Sequence, residues 1–307
     1  MNKTENYNKD IIIKKTLSKI TKDENIAIYN KTRLGGLTNL NYKVDTSCGE
    51  YAFRFPGVDT EFFINREAEK KCTELANKLD IDAELLHFDT STGIKVCKYV
   101  ENAFTLNKAY VQNNPSILKS VAEVFNRLHS FNDDTGVIFD VFKMMEEYET
   151  IILNKNGEFW PDYQEIKNKI TQLQKEIEGM GVEQVPCHND PLCENFILGD
   201  NKLFLTDWEY GGINDPMWDL ADFIIESEIN SKLENILLNH YFGRIPKESE
   251  IRRVKINKVF VDFLLSLWAL MKFALEGSLD MKEWADSRYV RCKEWIVLLD
   301  GVQENAD

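Results

Sequence analysis

The chain has 307 residues, 43% of them hydrophobic, enough to bury a sizeable core as one large or two closely packed domains. Its formal net charge of -14 argues against a general nucleic-acid or anionic-membrane binder, which needs a basic face, and is compatible with a cationic small molecule. No apolar run approaches the roughly 20 residues that span a bilayer, and the polar opening MNKTENYNKD lacks a leader's apolar core; no membrane insertion and a cytoplasmic location are expected.

A helical leader is predicted near Lys9 to Ile20. The first hundred residues otherwise carry β signals, short runs bounded by glycine, asparagine and serine turns, with strands near 26–33, 39–46 and 51–55. Asn41 to Val44, the turn Ser47-Cys48-Gly49-Glu50 and Tyr51-Ala-Phe-Arg-Phe55 read as a hairpin. A helix is predicted over 60–78, then strands at 83–88 and 94–99. The pattern turns helical near residue 100, which marks a lobe boundary. Amphipathic stretches follow at roughly 114–130, 140–153, 162–180, 216–241, 248–276 and 281–299. Six cysteines, Cys48, Cys72, Cys97, Cys187, Cys193 and Cys292, form no Cys-x-x-Cys pair and read as structural thiols rather than a zinc site or disulfide framework.

One segment interrupts the helices as a loop flanked by short strands. It reads His188-Asn-Asp190-Pro-Leu-Cys-Glu-Asn195, and twelve residues on comes Asp207-Trp208-Glu209. Transfer of a γ-phosphoryl group needs a carboxylate aimed at the acceptor hydroxyl and oxygen ligands for Mg²⁺. Asp190 suits the first role, and Asn195 and Asp207 suit the second. His188 is expected to brace the loop. The alternative, an Asp and an Asn merely capping a polar turn, is weakened by Asp207 at that offset and by the β-rich lobe upstream.

Gly35-Gly36-Leu-Thr38-Asn39 lies between two predicted strands. Glycine there would admit phosphates, with Thr38 or Asn39 as donors, although two glycines between strands also make an ordinary hairpin. Arg54 alternates with Phe53 and Phe55 and so faces away from them. It could hold nucleotide phosphates with Glu67 of the next helix as partner, or be an exposed arginine on an edge strand. A small β-rich lobe before a helical lobe bearing His-x-Asp-x-x-x-x-Asn is the layout of a protein-kinase-like, two-lobe α+β fold, with residues 1–100 as the nucleotide-binding lobe and 101–307 as the lobe carrying the catalytic loop and substrate pocket.

The stretch Asp207-Trp-Glu-Tyr-Gly-Gly-Ile-Asn-Asp-Pro-Met-Trp-Asp219-Leu-Ala, with Gly35-Gly36-Leu-Thr-Asn39 and Cys187-His-Asn-Asp190, resembles the choline/ethanolamine kinase family, in particular its bacterial choline kinase branch. The resemblance implies ATP-dependent phosphorylation of a small amino alcohol with Mg²⁺, on a fold shared with aminoglycoside phosphotransferases. It assigns Asp190 as the catalytic aspartate, Asn195 and Asp207 as magnesium ligands, Arg54 with Glu67 as the phosphate pair, and Tyr99 and Val100 as the hinge that meets adenine. It also implies a structural role for Asp219, a buried carboxylate tying the catalytic loop to the following helix. For choline, a quaternary ammonium without N–H, recognition needs aromatic faces and a carboxylate. The matching positions are Tyr210, Glu226, Trp268 and Trp284, with core packing as the alternative for each aromatic. Pro191-Leu192 departs from the polar residue that eukaryotic relatives carry at the second of these positions. Ethanolamine kinase, an aminoglycoside or sugar kinase and a non-catalytic pseudokinase are the rival readings.

Overall fold

Alternation builds the first sheet. Tyr42 and Val44 of strand β2 (Leu40–Thr46) and Tyr51, Phe53 and Phe55 of β3 (Gly49–Phe55) are buried, and they pack with Ile13 and Leu17 of helix α1 (Lys3–Thr21) in one apolar cluster. Each fully buried aromatic or aliphatic side chain contributes about 1.5–3 kcal/mol there. The computed structural model describes residues 3–35, 39–57, 64–131, 135–199 and 202–301. Gly36 and Thr38 of the glycine loop, and the first residues of the helix expected from 60, lie outside these.

β1 (Ile28–Arg33) and β4 (Leu85–Asp89) complete a five-stranded antiparallel sheet with β5 (Ile94–Lys98), in the order β1-β2-β3-β5-β4. Thr46 pairs with Gly49, so the β2–β3 hairpin closes through Ser47-Cys48 alone, tighter than the four-residue turn expected. Helix α2 spans Arg66–Lys78, and Asn65 caps it by accepting from the Glu67 and Ala68 N–H groups. A second antiparallel sheet joins β6 (Phe104–Thr105), β8 (Phe196–Gly199) and β9 (Lys202–Leu205) in the order β6-β8-β9.

Among the described residues, the remaining elements are helical apart from one strand pair, β7 (Val185–Cys187) with β10 (Gly212–Asn214). The stretch expected at 114–130 is the single helix α4 (Ile117–His129), and a short helix not expected from the sequence, α3 (Lys108–Asn113), precedes it. Pro115 separates them by steering Asn114 out of helical geometry. α5 (Val141–Asn154) and α6 (Tyr163–Gly179) follow the expected ranges closely. The single helix expected at 216–241 is two, α7 (Pro216–Glu226) and α8 (Ser231–Phe242). Between them Glu228 takes a left-handed φ of 51°, and Asn230 caps α8 by accepting from the Lys232 and Leu233 N–H groups. α9 (Glu248–Glu276) is buried around most of its middle and packs on α5, α6, α7 and α10 (Leu279–Asp300). Gly277, at φ 72°, ends it in the left-handed cap that glycine adopts without strain.

The contact pattern divides the chain into two compact units, residues 1–105 with 195–211, and 106–194 with 212–307. The first boundary falls five residues after the expected 100, and 195–211 groups with the first unit. Asn195 and Asp207 therefore sit in one unit and Asp190 in the other. Among the described residues, no helix is long and apolar enough to cross a membrane.

Candidate active site

In the second unit, β7 ends at Cys187 and the chain turns through His188-Asn189-Asp190. Asn189 takes a left-handed φ of 68°, which asparagine tolerates better than most residues. Its side chain supports the bend: its Oδ1 accepts from Asn214 Nδ2 at 2.9 Å and its Nδ2 donates to the Gly212 carbonyl at 3.3 Å. Trp218 Nε1 donates to the Asn189 carbonyl at 3.2 Å.

Asp219, on the first turn of α7, is fully buried and holds the loop from below. Its Oδ1 accepts the Asn189 N–H at 2.7 Å, and its Oδ2 accepts the His188 N–H at 2.8 Å. The His129 ring lies between, with Nε2 3.0 Å from Asp219 Oδ2 and Nδ1 2.9 Å from the Tyr241 hydroxyl. The buried His188 accepts the Asp190 N–H on Nδ1 at 3.3 Å, a bracing contact. These side chains together fix the loop, and Asp190 stands half-buried at its tip. A buried carboxylate so partnered is costly to remove, because the donors left behind have no water to turn to.

In the first unit, Asn195 and Asp207 are brought level by the β8–β9 hairpin. Phe196 pairs with Leu205, and the Asn195 carbonyl accepts both the Thr206 N–H at 2.9 Å and the Thr206 hydroxyl at 3.1 Å. Asp207 follows at φ 70°, and Trp208 is fully buried with Nε1 donating to the Leu205 carbonyl. Gly211 lets this segment approach α2: a Cβ there would meet Cys72 Cβ at 2.7 Å. Asp207 Oδ1 is buried without a hydrogen-bond partner, 3.6 Å from Arg54 Nη1. An orphaned carboxylate oxygen beside an asparagine, with no soft ligand in the pair, fits the oxygen-only donor set of Mg²⁺.

Arg54 is buried, and its partner is Glu69, not the expected Glu67. Nη1 and Nη2 each donate to a Glu69 oxygen, the second at 3.1 Å, and Nη2 also donates to the Gly93 carbonyl at 3.1 Å. The reason is helical phase. Glu69 shares the inward stripe of α2 with Cys72, Thr73 and Ala76, whereas Glu67 lies two residues away, on the exposed side. Arg66 bridges Glu69 and Glu209, 2.7 Å from each, and Lys95 lies 3.7 Å from Glu69. Burial pushes the Glu69 carboxyl upward, but Lys95, Arg54 and Arg66 outweigh it and hold the group below the usual carboxylate range. Glu209 is instead raised, by burial and by the charge of Asp207. With Glu69 and Glu209 bound by the two arginines, Asp207 keeps the one orphaned oxygen among these three neighbouring carboxylates.

Asn39 is buried, its Nδ2 donating to Glu209 at 3.0 Å and its Oδ1 accepting the Gly57 N–H at 3.2 Å. It is therefore already occupied in bracing the arginine cluster. Gly35 is described and uncrowded, and its carbonyl accepts from Asn41 Nδ2. The Tyr99 N–H donates to the Glu50 carbonyl at 3.0 Å, so an adenine edge would have to use other backbone groups of the stretch that includes Val100. Tyr210 is half-buried in the turn after Glu209.

Three acceptor-side candidates come together in the second unit. Trp268 of α9 and Trp284 of α10 meet edge to face at 5.6 Å, both half-buried. Arg288 lies over the Trp284 ring at 4.8 Å and also donates to Glu226. The expected carboxylate and one expected aromatic thus already share a protein cation. Arg288 also bonds Asp262 at 3.1 Å, which in turn takes Arg291 and Trp295. Sequence reasoning missed Glu69, Arg66, Glu209, His129 and Arg288. Only Glu69 left a local signal, its place in the buried stripe of α2.

The profile of the choline/ethanolamine kinase family matches residues 31–256. Protein LicA of Haemophilus influenzae is 31% identical over 245 residues, which cover 78% of this chain and 72% of that protein. The crystal structure of choline kinase LicA from Streptococcus pneumoniae aligns with a TM-score of 0.77 at 33% identity, covering 93% of this chain and 98% of that one. A structure of LicA in complex with AMP aligns with a TM-score of 0.75 at 31% identity, covering 94% of this chain and 98% of that one. The protein-kinase-like α+β fold expected from the sequence agrees with these neighbours. A family match over most of the chain, with relatives this similar, leaves one assignment: the chain belongs to the choline/ethanolamine kinase family and is a kinase.

Proposed function

We propose that the protein transfers the γ-phosphoryl group of ATP to the hydroxyl of choline, forming phosphocholine and ADP directly, without a covalent enzyme intermediate. The carrying observation is Asp190, held at the tip of a loop whose backbone is fixed by Asp219, Asn189 and Trp218. A carboxylate so fixed can orient the acceptor hydroxyl and take its proton as the new O–P bond forms and the bond to the ADP oxygen breaks. Mg²⁺, when bound, supplies neutralisation of phosphate charge. Asn195 and Asp207 are the residues to hold it, and the unpartnered Asp207 oxygen supports that role. Arg54, made rigid by Glu69, is suited to nucleotide phosphates.

The choice of choline rests on the Trp268–Trp284 pair, whose ring faces suit a quaternary ammonium, and on the similarity to the pneumococcal choline kinase. Ethanolamine is the rival, since a probable ethanolamine kinase of Arabidopsis thaliana is 28% identical over 256 residues. ATP as phosphoryl donor fits a cytoplasmic reaction. The test is kcat/KM for choline and ethanolamine side by side with MgATP. Preference for choline supports the reading, and preference for ethanolamine, or turnover of neither, overturns it.

A further inference from the structure

Helix α7 carries Asp219, Asp222 and Glu226 on one face, within about 60° of arc at 100° per residue. Their partners differ. Asp219 is fully engaged beneath the catalytic loop. Glu226 is engaged by Arg288, and the group of Glu226, Asp262, Arg288 and Arg291 holds two negative and two positive charges. Asp222 is left between them, buried to 3% exposure, with Oδ1 lacking any hydrogen-bond partner. A buried carboxyl group with an orphaned oxygen, beside residues that the acceptor reading already uses, is an incomplete site for a cation.

We propose that Asp222, rather than Glu226, is the carboxylate that reads the positive charge of the acceptor, and so determines specificity for an ammonium alcohol over a neutral one. The proposal rests on the acceptor-kinase reading and deepens it. The charged groups facing Asp222 are Glu226 and Asp219 from its own helix, Asp190 from the loop and Arg288 from α10. Burial, with Glu226 and Asp190 next, holds its carboxyl well above the usual range against the opposing pull of Arg288. Below that raised value the free enzyme carries the proton on Asp222, and the arriving cation replaces it. The O–H bond breaks, the carboxylate faces the ammonium, and the proton leaves to solvent.

The sign follows. Below the raised free-enzyme value, each fall of one pH unit should weaken choline binding by about tenfold, because one proton must be displaced. Above that value the dependence should vanish. Folding has the opposite sense: a carboxyl whose folded value is raised loses stability as pH rises above the unfolded value near about 3.9, so Asp222 lowers stability at neutral pH. Asp222→Asn should accordingly fold and melt no lower than wild type.

The experiment compares wild type with Asp222→Asn, using choline and its neutral carbon isostere dimethylbutanol. It also counts protons released on choline binding by calorimetry in buffers of different ionisation enthalpy. In the variant the kcat/KM ratio of choline to the isostere should fall roughly 10- to 100-fold, the pH dependence of choline KM should flatten, and proton release should disappear. If wild type phosphorylates choline and the variant keeps that ratio and the proton count, this inference alone is overturned. If wild type phosphorylates neither alcohol, the acceptor reading falls and takes the inference with it.

Discussion

Replacing Asp219 by asparagine removes a charge and little volume, so its effect measures how strongly the catalytic loop depends on one buried carboxylate. The wild-type group accepts the backbone N–H groups of His188 and Asn189 at 2.8 and 2.7 Å, and lies 3.0 Å from His129 Nε2. A hydrogen bond to a charged acceptor contributes about 1.5–3 kcal/mol, and a buried donor left unpaired costs about 1–3 kcal/mol. Asparagine keeps one acceptor oxygen, and its amide points two hydrogens at a site built from donors. At least one backbone N–H is stranded, for an expected loss of about 3–5 kcal/mol. Urea unfolding read by fluorescence and far-UV circular dichroism should show a lower midpoint with an unchanged slope. Turnover should fall further than the unfolded fraction explains, since displacing the loop by about 1 Å can cost on the order of a hundredfold. A loss below about 1 kcal/mol with full turnover would refute the view that Asp219 holds the loop.

Glu69→Gln should destabilise by about 3–5 kcal/mol, leaving Arg54, Arg66 and Lys95 around a neutral group, whereas Glu67→Gln should cost about 1 kcal/mol or less. The same pair of denaturation curves checks both. Because the Glu69 carboxyl is held low in the folded state, its stabilisation is present above the unfolded value near about 4.3 and is lost as pH falls through the folded value. The gap between wild type and Glu69→Gln should therefore close below about pH 4, and a gap constant down to the acid transition would contradict the ion-pair account. Trp268→Ala should raise KM for choline while leaving KM for ATP near wild type, and parallel titrations of the two substrates would expose equal rises as a general folding defect.

Period-two burial in Tyr51, Phe53 and Phe55 was plain enough in the sequence to place the sheet and turn Arg54 away from the apolar core. The long helix α9 was legible to both ends because Gly277 stops it. The break between α7 and α8 was not, since apolar periodicity runs on through Ile229 while the interruption lies in the backbone sign at Glu228. His188 to Asn195 and Asp207 announced phosphoryl transfer by residue type and spacing. Their supports were hidden because they come from afar: Arg66 meets Glu209 across 143 residues, and His129 meets Asp219 across 90. Glu67 was preferred to Glu69 although the stripe of Cys72, Thr73 and Ala76 already marked the buried face of α2. The acceptor-side candidates came from family resemblance alone, and resemblance could not reveal that Arg288 engages both Glu226 and one face of Trp284.

The central claim is that Asp190 orients and deprotonates the acceptor and contributes little to nucleotide affinity. Its most direct test is Asp190→Ala, measured for phosphocholine formation from choline and MgATP and, separately, for nucleotide affinity by calorimetry. The account predicts loss of most turnover, on the order of a hundredfold or more, with ATP affinity within about twofold of wild type. Near-wild-type turnover, or turnover and ATP affinity lost together in a folded protein, would contradict it.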